Sequence, residues 1–235
     1  MKTRTSLMLC VLAVIALAWA TPARAGTITL YFDDFSGAGG NLNGTTPDIT
    51  PTGTETWNAP DTNFKDNGTH NNNWYGYTEA TLPFVPSSGW VYTLSVSVLQ
   101  PEDYCCHVDP IGLAFGVGPG LRFYDEGNGG GRVDTDDPLL GSVNEGGYGV
   151  GPISVDIVLD TKPTLWEVEW FVNGTSVRGP EAYTTNPTIT TVKIWRDWMR
   201  GTWDDLKLEA VPEPATLALL GLGGLGLLLR RKRSK

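Results

Sequence analysis

The sequence predicts an all-β fold: an antiparallel two-sheet jelly-roll sandwich, with an N-terminal signal peptide before it and a C-terminal transmembrane helix behind it. Three observations point there. Between residues 26 and 210, apolar and polar residues alternate over short runs, the period-two pattern of strands with one buried face. The 29 glycines and 16 prolines of the 235-residue chain recur between those runs, where they turn the chain and would break a helix. Two unbroken apolar stretches, 7–20 and 215–229, flank this region.

Residues 1–25 read as a signal peptide. Lys2 and Arg4 give a positive start, 7–20 the apolar core, and Ala23 and Ala25 the small residues at −3 and −1, so cleavage is expected before Gly26. Such a leader implies the Sec translocon and signal peptidase as partners. Cys10 leaves with it.

The domain at 26–210 opens with a strand at 27–32. The clearest alternation is at 90–99, where Tyr92, Leu94, Val96 and Val98 face one way and Thr93, Ser95 and Ser97 the other. The apolar run 111–117 suits a central strand. Ile153, Val155, Ile157 and Leu159 alternate with Ser154, Asp156 and Asp160. Trp166, Val168, Trp170 and Val172 alternate with Glu167 and Glu169, placing both tryptophans in the core. Asn173-Gly174 then turns the chain into 175–178, because both central residues of the tight hairpin turn need positive φ. Strands at 188–195 and 202–210 complete a count of about ten to twelve, which favours two packed sheets.

Residues 215–229 hold no charge over 15 positions. A bilayer core asks for about 20 apolar residues; Pro212 and Pro214 before the stretch and snorkelling basic side chains behind it extend its reach. The basic cluster Arg230, Arg231, Lys232 and Arg233 within the tail 230–235 is expected to stay cytoplasmic, leaving a single-pass anchor in the inner membrane.

Charge narrows the function classes. Three of the 17 basic residues lie in 1–25 and five in 230–235, and Glu213 alone of the 26 acidic residues lies outside 26–210, so that segment has 9 basic and 25 acidic residues, a net of −16. Such a surface excludes nucleic acid as a partner, since phosphate neutralisation needs cations. Cys105 and Cys106 are adjacent, so no disulfide framework supports the fold. Only His70 and His107 could act as bases, and neither accompanies a nucleophile elbow. Glu167 and Glu169 read as a solvated strand face, and no paired-carboxylate glycosidase segment is present. No catalytic residue is therefore assigned.

Two kinds of binding site remain. Asp134, Asp136 and Asp137 follow the glycine-rich loop 127–131 and read as alternate carboxylates on a flexible loop, hard-cation ligands in kind; no cofactor is expected, with Ca2+ as the alternative; Asp33-Asp34 and Asp204-Asp205, expected on adjoining terminal strands, are further acidic pairs. Asn73, Trp74, Tyr75 and Tyr77 form the richest polar-aromatic stretch, suited to stacking on sugar rings and bonding hydroxyls. Trp57, Asn58, His70 and the 195–198 turn are further glycan-binding candidates.

The order Val211-Pro212-Glu213-Pro214, apolar Leu/Gly-rich segment, Arg230–Arg233 cluster resembles the PEP-CTERM sorting tail of Gram-negative bacteria. The resemblance implies an exosortase, a membrane-embedded cysteine transpeptidase, as partner. It also implies processing near the Pro-Glu-Pro motif and transfer to the cell surface or an extracellular polysaccharide matrix. Across 27–210, Tyr31-Phe32-Asp33-Asp34-Phe35, Leu42-Asn43-Gly44-Thr45, Leu82-Pro83-Phe84, Gly112-Leu113-Ala114-Phe115 and Gly201-Thr202-Trp203-Asp204-Asp205-Leu206 resemble a concanavalin A/laminin-G-like jelly roll. Together they imply an exported, non-enzymatic surface or matrix protein associated with exopolysaccharide or biofilm. The alternatives are a lectin-like glycan-binding module and a polysaccharide hydrolase of the same fold.

Overall fold

The computed structural model describes residues 26–70, 77–102, 110–125, 130–149, 152–197 and 200–212. It contains twelve strands: β1 (Ile28–Asp33), β2 (Tyr77–Pro83), β3 (Trp90–Glu102), β4 (Ile111–Ala114), β5 (Gly120–Asp125), β6 (Gly130–Asp136), β7 (Val143–Gly149), β8 (Ile153–Asp160), β9 (Glu167–Val172), β10 (Thr175–Ala182), β11 (Thr191–Asp197) and β12 (Arg200–Pro212). They form two six-stranded antiparallel sheets, β1-β12-β3-β8-β9-β10 and β2-β11-β4-β5-β6-β7. Thr27–Val211 is one compact unit. The expected all-β two-sheet architecture is the one observed.

The alternation dictates which faces meet. Leu94, Val98, Val155, Ile157, Leu159 and Trp170 from the first sheet are fully buried, as are Leu82, Leu113, Leu121, Val133 and Val192 from the second. Each such side chain contributes about 1.5–3 kcal/mol by leaving water. Trp170 Nε1 donates to the Gly120 carbonyl at 3.0 Å and ties the sheets through the core. The Asn173-Gly174 turn has the expected positive φ at both residues, 50° and 72°, and joins β9 to β10. The terminal strands adjoin as expected, Asp33 pairing with Leu206.

The structure revises five local expectations. The run 111–117 is not one strand: β4 stops at Ala114, the chain turns through Gly116 at φ 55°, and Val117 projects 73% exposed. The strand expected at 188–195 begins at Thr191 and continues to Asp197. Trp166 is only partly buried against the core, whereas Trp57, a candidate sugar platform, is 1% exposed. Asp134 and Asp136 lie on strand β6 rather than on a loop. That strand is short of β-favouring residues and holds its place because β5 and β7 pair with it on both sides.

Among the described residues no helix is long and apolar enough to cross a membrane. The signal peptide, the 215–229 span, Glu213, Pro214 and Arg230, Arg231, Lys232 and Arg233 lie outside the described residues. So do Asn73, Trp74, Tyr75, Cys105, Cys106 and His107.

Candidate functional site

The outward face of the second sheet carries the chemistry. Ala80, Leu82, Val192, Ile194, Leu113 and Phe123 point inward, so their neighbours along each strand point out. Register then brings together residues far apart in sequence. Trp195 sits between Glu79 of β2 and Gly112 of β4, and Gly112 faces Arg122 of β5. One step along, Lys193 faces Ala114, and Gly120 faces Asp136. A cleft of about 360 Å³ opens here, lined by Tyr77, Arg122, Asp136, Lys193, Trp195 and Asp197 among others.

Glycine sets the depth of this cleft. A Cβ on Gly112 would lie 2.3 Å from the Trp195 ring. The indole can therefore lie flat on the sheet only because position 112 has no side chain. Tyr77 leans over it, ring centres 5.5 Å apart, and remains half exposed. The Arg122 guanidinium lies 5.8 Å from the Trp195 ring centre and the Lys193 ammonium 5.4 Å from that of Tyr77.

Lys193, Glu79, Arg122 and Asp136 are each paired across the cleft. Lys193 Nζ donates to Tyr77 Oη at 2.7 Å and to Glu79 Oε2 at 2.9 Å, and Tyr77 Oη donates to Glu79 Oε2 at 2.6 Å. Burial holds the Tyr77 phenol well above its ordinary pKa, with Glu79 adding to the effect. Burial works against ionisation of Glu79, but the bonds from Tyr77 and Lys193 outweigh it and leave its carboxyl below the usual range. Arg122 Nη2 donates to Asp136 Oδ2 at 2.5 Å. Arg132 Nε reaches Asp134 Oδ1 at 2.9 Å, its guanidinium 4.1 Å from the Tyr124 ring centre.

These pairs bear on the calcium expectation. Asp134 and Asp136 are engaged by different arginines, and Asp136 also accepts from Ser142 Oγ at 2.6 Å. Asp137 turns inward, 1% exposed, where it accepts from the backbone of Leu139 and Leu140 and from Tyr183 Oη at 2.5 Å. The three carboxylates thus serve separate partners. Among the described residues, Asp33, Asp34 and Asp48 alone bring three candidate ligand atoms within 4.8 Å of one another. Of these, Asp33 is taken up by Trp57 Nε1 at 2.7 Å and the Phe35 amide at 2.9 Å.

The other sequence candidates divide plainly. Tyr77 and Trp195 are in the cleft. His70 is 3% exposed, edge-on to Phe64, with Nε2 3.4 Å from Asp61 Oδ2. Burial and then the Arg196 charge depress its pKa to about 4, so it is a neutral core residue at pH 7. Val211 and Pro212 are half-buried at the end of β12, and Gly26 is exposed ahead of β1. Glu79, Arg122 and Lys193 escaped sequence reasoning. The only hint was that each stands at a polar position of an alternating run.

The sequence of residues 210–233 matches the model of the PEP-CTERM protein-sorting motif. No curated protein matches the chain. Among solved structures, the endo-1,3-beta-glucanase from Streptomyces sioyaensis superposes with a TM-score of 0.49 at 9% identity, covering 82% of this chain and 99% of that one. Basic winged bean lectin gives a TM-score of 0.42 at 11% identity, covering 80% and 99%. A carbohydrate-binding module from Bacillus subtilis gives 0.34 at 10%, covering 80% and 97%. This chain carries a PEP-CTERM protein-sorting motif directly behind an all-β domain of two six-stranded antiparallel sheets.

Proposed function

We propose that this protein is exported, anchored by 215–229, processed by an exosortase at Val211-Pro212-Glu213-Pro214, and displayed at the cell surface or in the extracellular matrix. The observation that carries this reading is the sorting motif at 210–233. The apolar span and basic cluster behind Pro214 supply the anchor such processing requires. Removing residues 211–235 will send the protein to the medium with no processing step. Unchanged localisation and gel mobility would sink the sorting reading.

We further propose that the domain binds carbohydrate without hydrolysing it, in the cleft around Tyr77 and Trp195. A half-exposed aromatic face beside fixed donors and acceptors suits a sugar ring, whose C–H face stacks while its hydroxyls bond to charged groups. The binding reading is favoured over hydrolysis by the state of the carboxylates. A general acid needs a raised pKa, yet Glu79 of the cleft is held low by its bonds from Tyr77 and Lys193. Among the described residues the carboxyl held high by burial is Asp33, which stands on the other sheet and accepts a bond from Trp57. On a glycan array, residues 26–212 will bind a polysaccharide ligand, and Tyr77→Ala and Arg122→Ala will each weaken it by about tenfold, a loss of about 1.4 kcal/mol. Equal binding by both variants would remove the cleft from the proposal. Release of reducing ends from the bound polysaccharide would replace binding by hydrolysis.

A further inference from the structure

The two ends of the compact unit emerge side by side. Ile28 of β1 pairs with Ala210 of β12, so the two ends of the unit Thr27–Val211 lie next to one another. The expected signal-peptidase junction and the sorting motif therefore leave the domain on neighbouring strands, at one end of the sandwich. Ala215, where the apolar span begins, is three residues beyond Pro212, a reach of at most about 10 Å.

That same end collects exposed apolar side chains. Val85 follows β2; Val117 lies in the β4–β5 turn; Leu139 lies in the β6–β7 turn; Leu165 lies in the β8–β9 loop; Ile28 opens β1. Pairing of Pro83 with Thr191, of Ala114 with Gly120 and of Gly120 with Asp136 brings the first three segments to one edge of the second sheet. Tyr31 Oη donates to the Pro83 carbonyl, and the Thr161 amide donates to the Trp90 carbonyl, which places the first sheet's Ile28 and Leu165 segments at that end too. Their exposures run from 46% to 73%, and they are five of the eight large hydrophobic residues exposed among the described residues. At the same end a groove of about 400 Å³ runs past Phe84, Val85, Trp90, Tyr92 and Ala210, mostly apolar but with Glu55 in its wall. The opposite end carries the polar Asn173-Gly174 turn and the Asp33–Asp34–Asp48 cluster, with Ile49 and Tyr77 as its exposed apolar residues.

From this juxtaposition we infer that the exit end is a membrane-apposed surface: Ile28, Val85, Val117, Leu139 and Leu165 rest in the headgroup–acyl boundary of the bilayer that holds 215–229. The inference rests on the anchor reading above. The contact is apolar rather than electrostatic. The segment 26–210 has a net charge of −16, and Lys162, the cation of the β8–β9 loop, is paired with Asp160 at 3.2 Å. An uncharged lipid surface is thus the fitting partner, and partly buried Trp90 at the groove is the amphipathic residue such boundaries favour.

The test uses the full chain in phosphatidylcholine vesicles, with Cys10, Cys105 and Cys106 replaced by serine. A single cysteine is placed at Val85, Val117, Leu139 or, at the far end, Thr175, and labelled with a polarity-sensitive fluorophore. Lipids carrying a nitroxide near the headgroup will quench most of the emission at 85, 117 and 139 and little at 175. Co-flotation with the vesicles but equal quenching at both ends overturns the apposed surface alone. So does a rim signal that depends on protein concentration, which would mean a second copy of the chain covers it. A chain that does not float with the vesicles overturns the anchor reading and the surface with it.

Discussion

Replacing Arg178 by alanine will destabilise the domain by about 3 kcal/mol, the scale for breaking a largely buried, hydrogen-bonded ion pair. Arg178 stands on edge strand β10 of the first sheet, with its side chain 7% exposed. All five of its N–H donors find acceptors. Nε and Nη2 grip Glu181 at 2.9 and 3.0 Å; Nη1 reaches Thr135 Oγ1 at 2.8 Å and the Gly141 carbonyl at 2.9 Å; Nη2 reaches the Leu140 carbonyl at 3.0 Å. The guanidinium also lies 4.9 Å from the Trp170 ring centre. One side chain thus ties β10 to β6 and to the β6–β7 turn of the other sheet. Glu181 is the lesser casualty of the substitution because it is 39% exposed and water can replace its partner. The melting temperature should fall by about 6–12 °C for a domain of this size. Arg178→Lys will recover less than half of the loss, since an ammonium cannot reproduce the planar fork. A calorimetric shift of only a degree or two would show the tie to be incidental.

That tie also shows what alternation can and cannot reveal. In an uninterrupted strand, residues three apart point to opposite faces. Arg178 and Glu181 meet because β10 shifts register between them, where Gly179 adopts φ 100° and a Cβ would lie 2.6 Å from the Val168 carbonyl. Nothing in the period-two pattern announces such a bulge. The pattern was legible where it was regular: β3, β8 and β9 follow it residue by residue, and Asn173-Gly174 fixes their neighbour. It failed at β6, whose glycine and charged residues read as loop, and at Arg196, a charged residue that occupies an inward position of β11 at 1% exposure.

The candidate cleft was half legible for a related reason. Tyr77 drew attention as part of a polar-aromatic stretch, and Trp195 as part of a tryptophan-rich turn. Glu79, Lys193, Arg122 and Asp136 come from four strands, and only sheet order and register place them on one face. The single-residue step from Asp136 to Asp137 likewise separates a surface ion pair from a buried acceptor for Tyr183. An acidic run on paper became three unrelated roles once the strand ended between them.

Acidification from pH 7 to about 5 will weaken the domain, and His70 is the cause. An unfolded histidine has a pKa near 6.5, whereas burial, then the Arg196 charge, lower that of folded His70 to about 4 despite the opposing pull of Asp61. Below pH 6.5 the unfolded chain takes up a proton that the folded domain refuses. The unfolded state therefore binds more protons, and stability falls as pH drops from about 6.5 to about 4. Over that whole window the loss amounts to about 3 kcal/mol, of which about 2 kcal/mol has accrued by pH 5. Asp61, Glu79 and Glu181 also have lowered folded pKa values and also lose stabilisation on acidification. Their contribution, however, is present above the unfolded carboxyl values near 4 and is lost below them, while Asp33, held high by burial, acts in the opposite sense, so it is the comparison with a His70 variant that isolates the imidazole. Urea unfolding at pH 7, 6 and 5 will show the decline in the parent chain. In His70→Gln the decline over the same interval will disappear, whatever that substitution costs at pH 7 through its lost edge-on contact with Phe64. The same comparison in a His107→Gln background keeps the chain's other histidine out of the slope. If His70→Gln declines as steeply as the parent, the proton uptake belongs to another group and the buried-imidazole account fails.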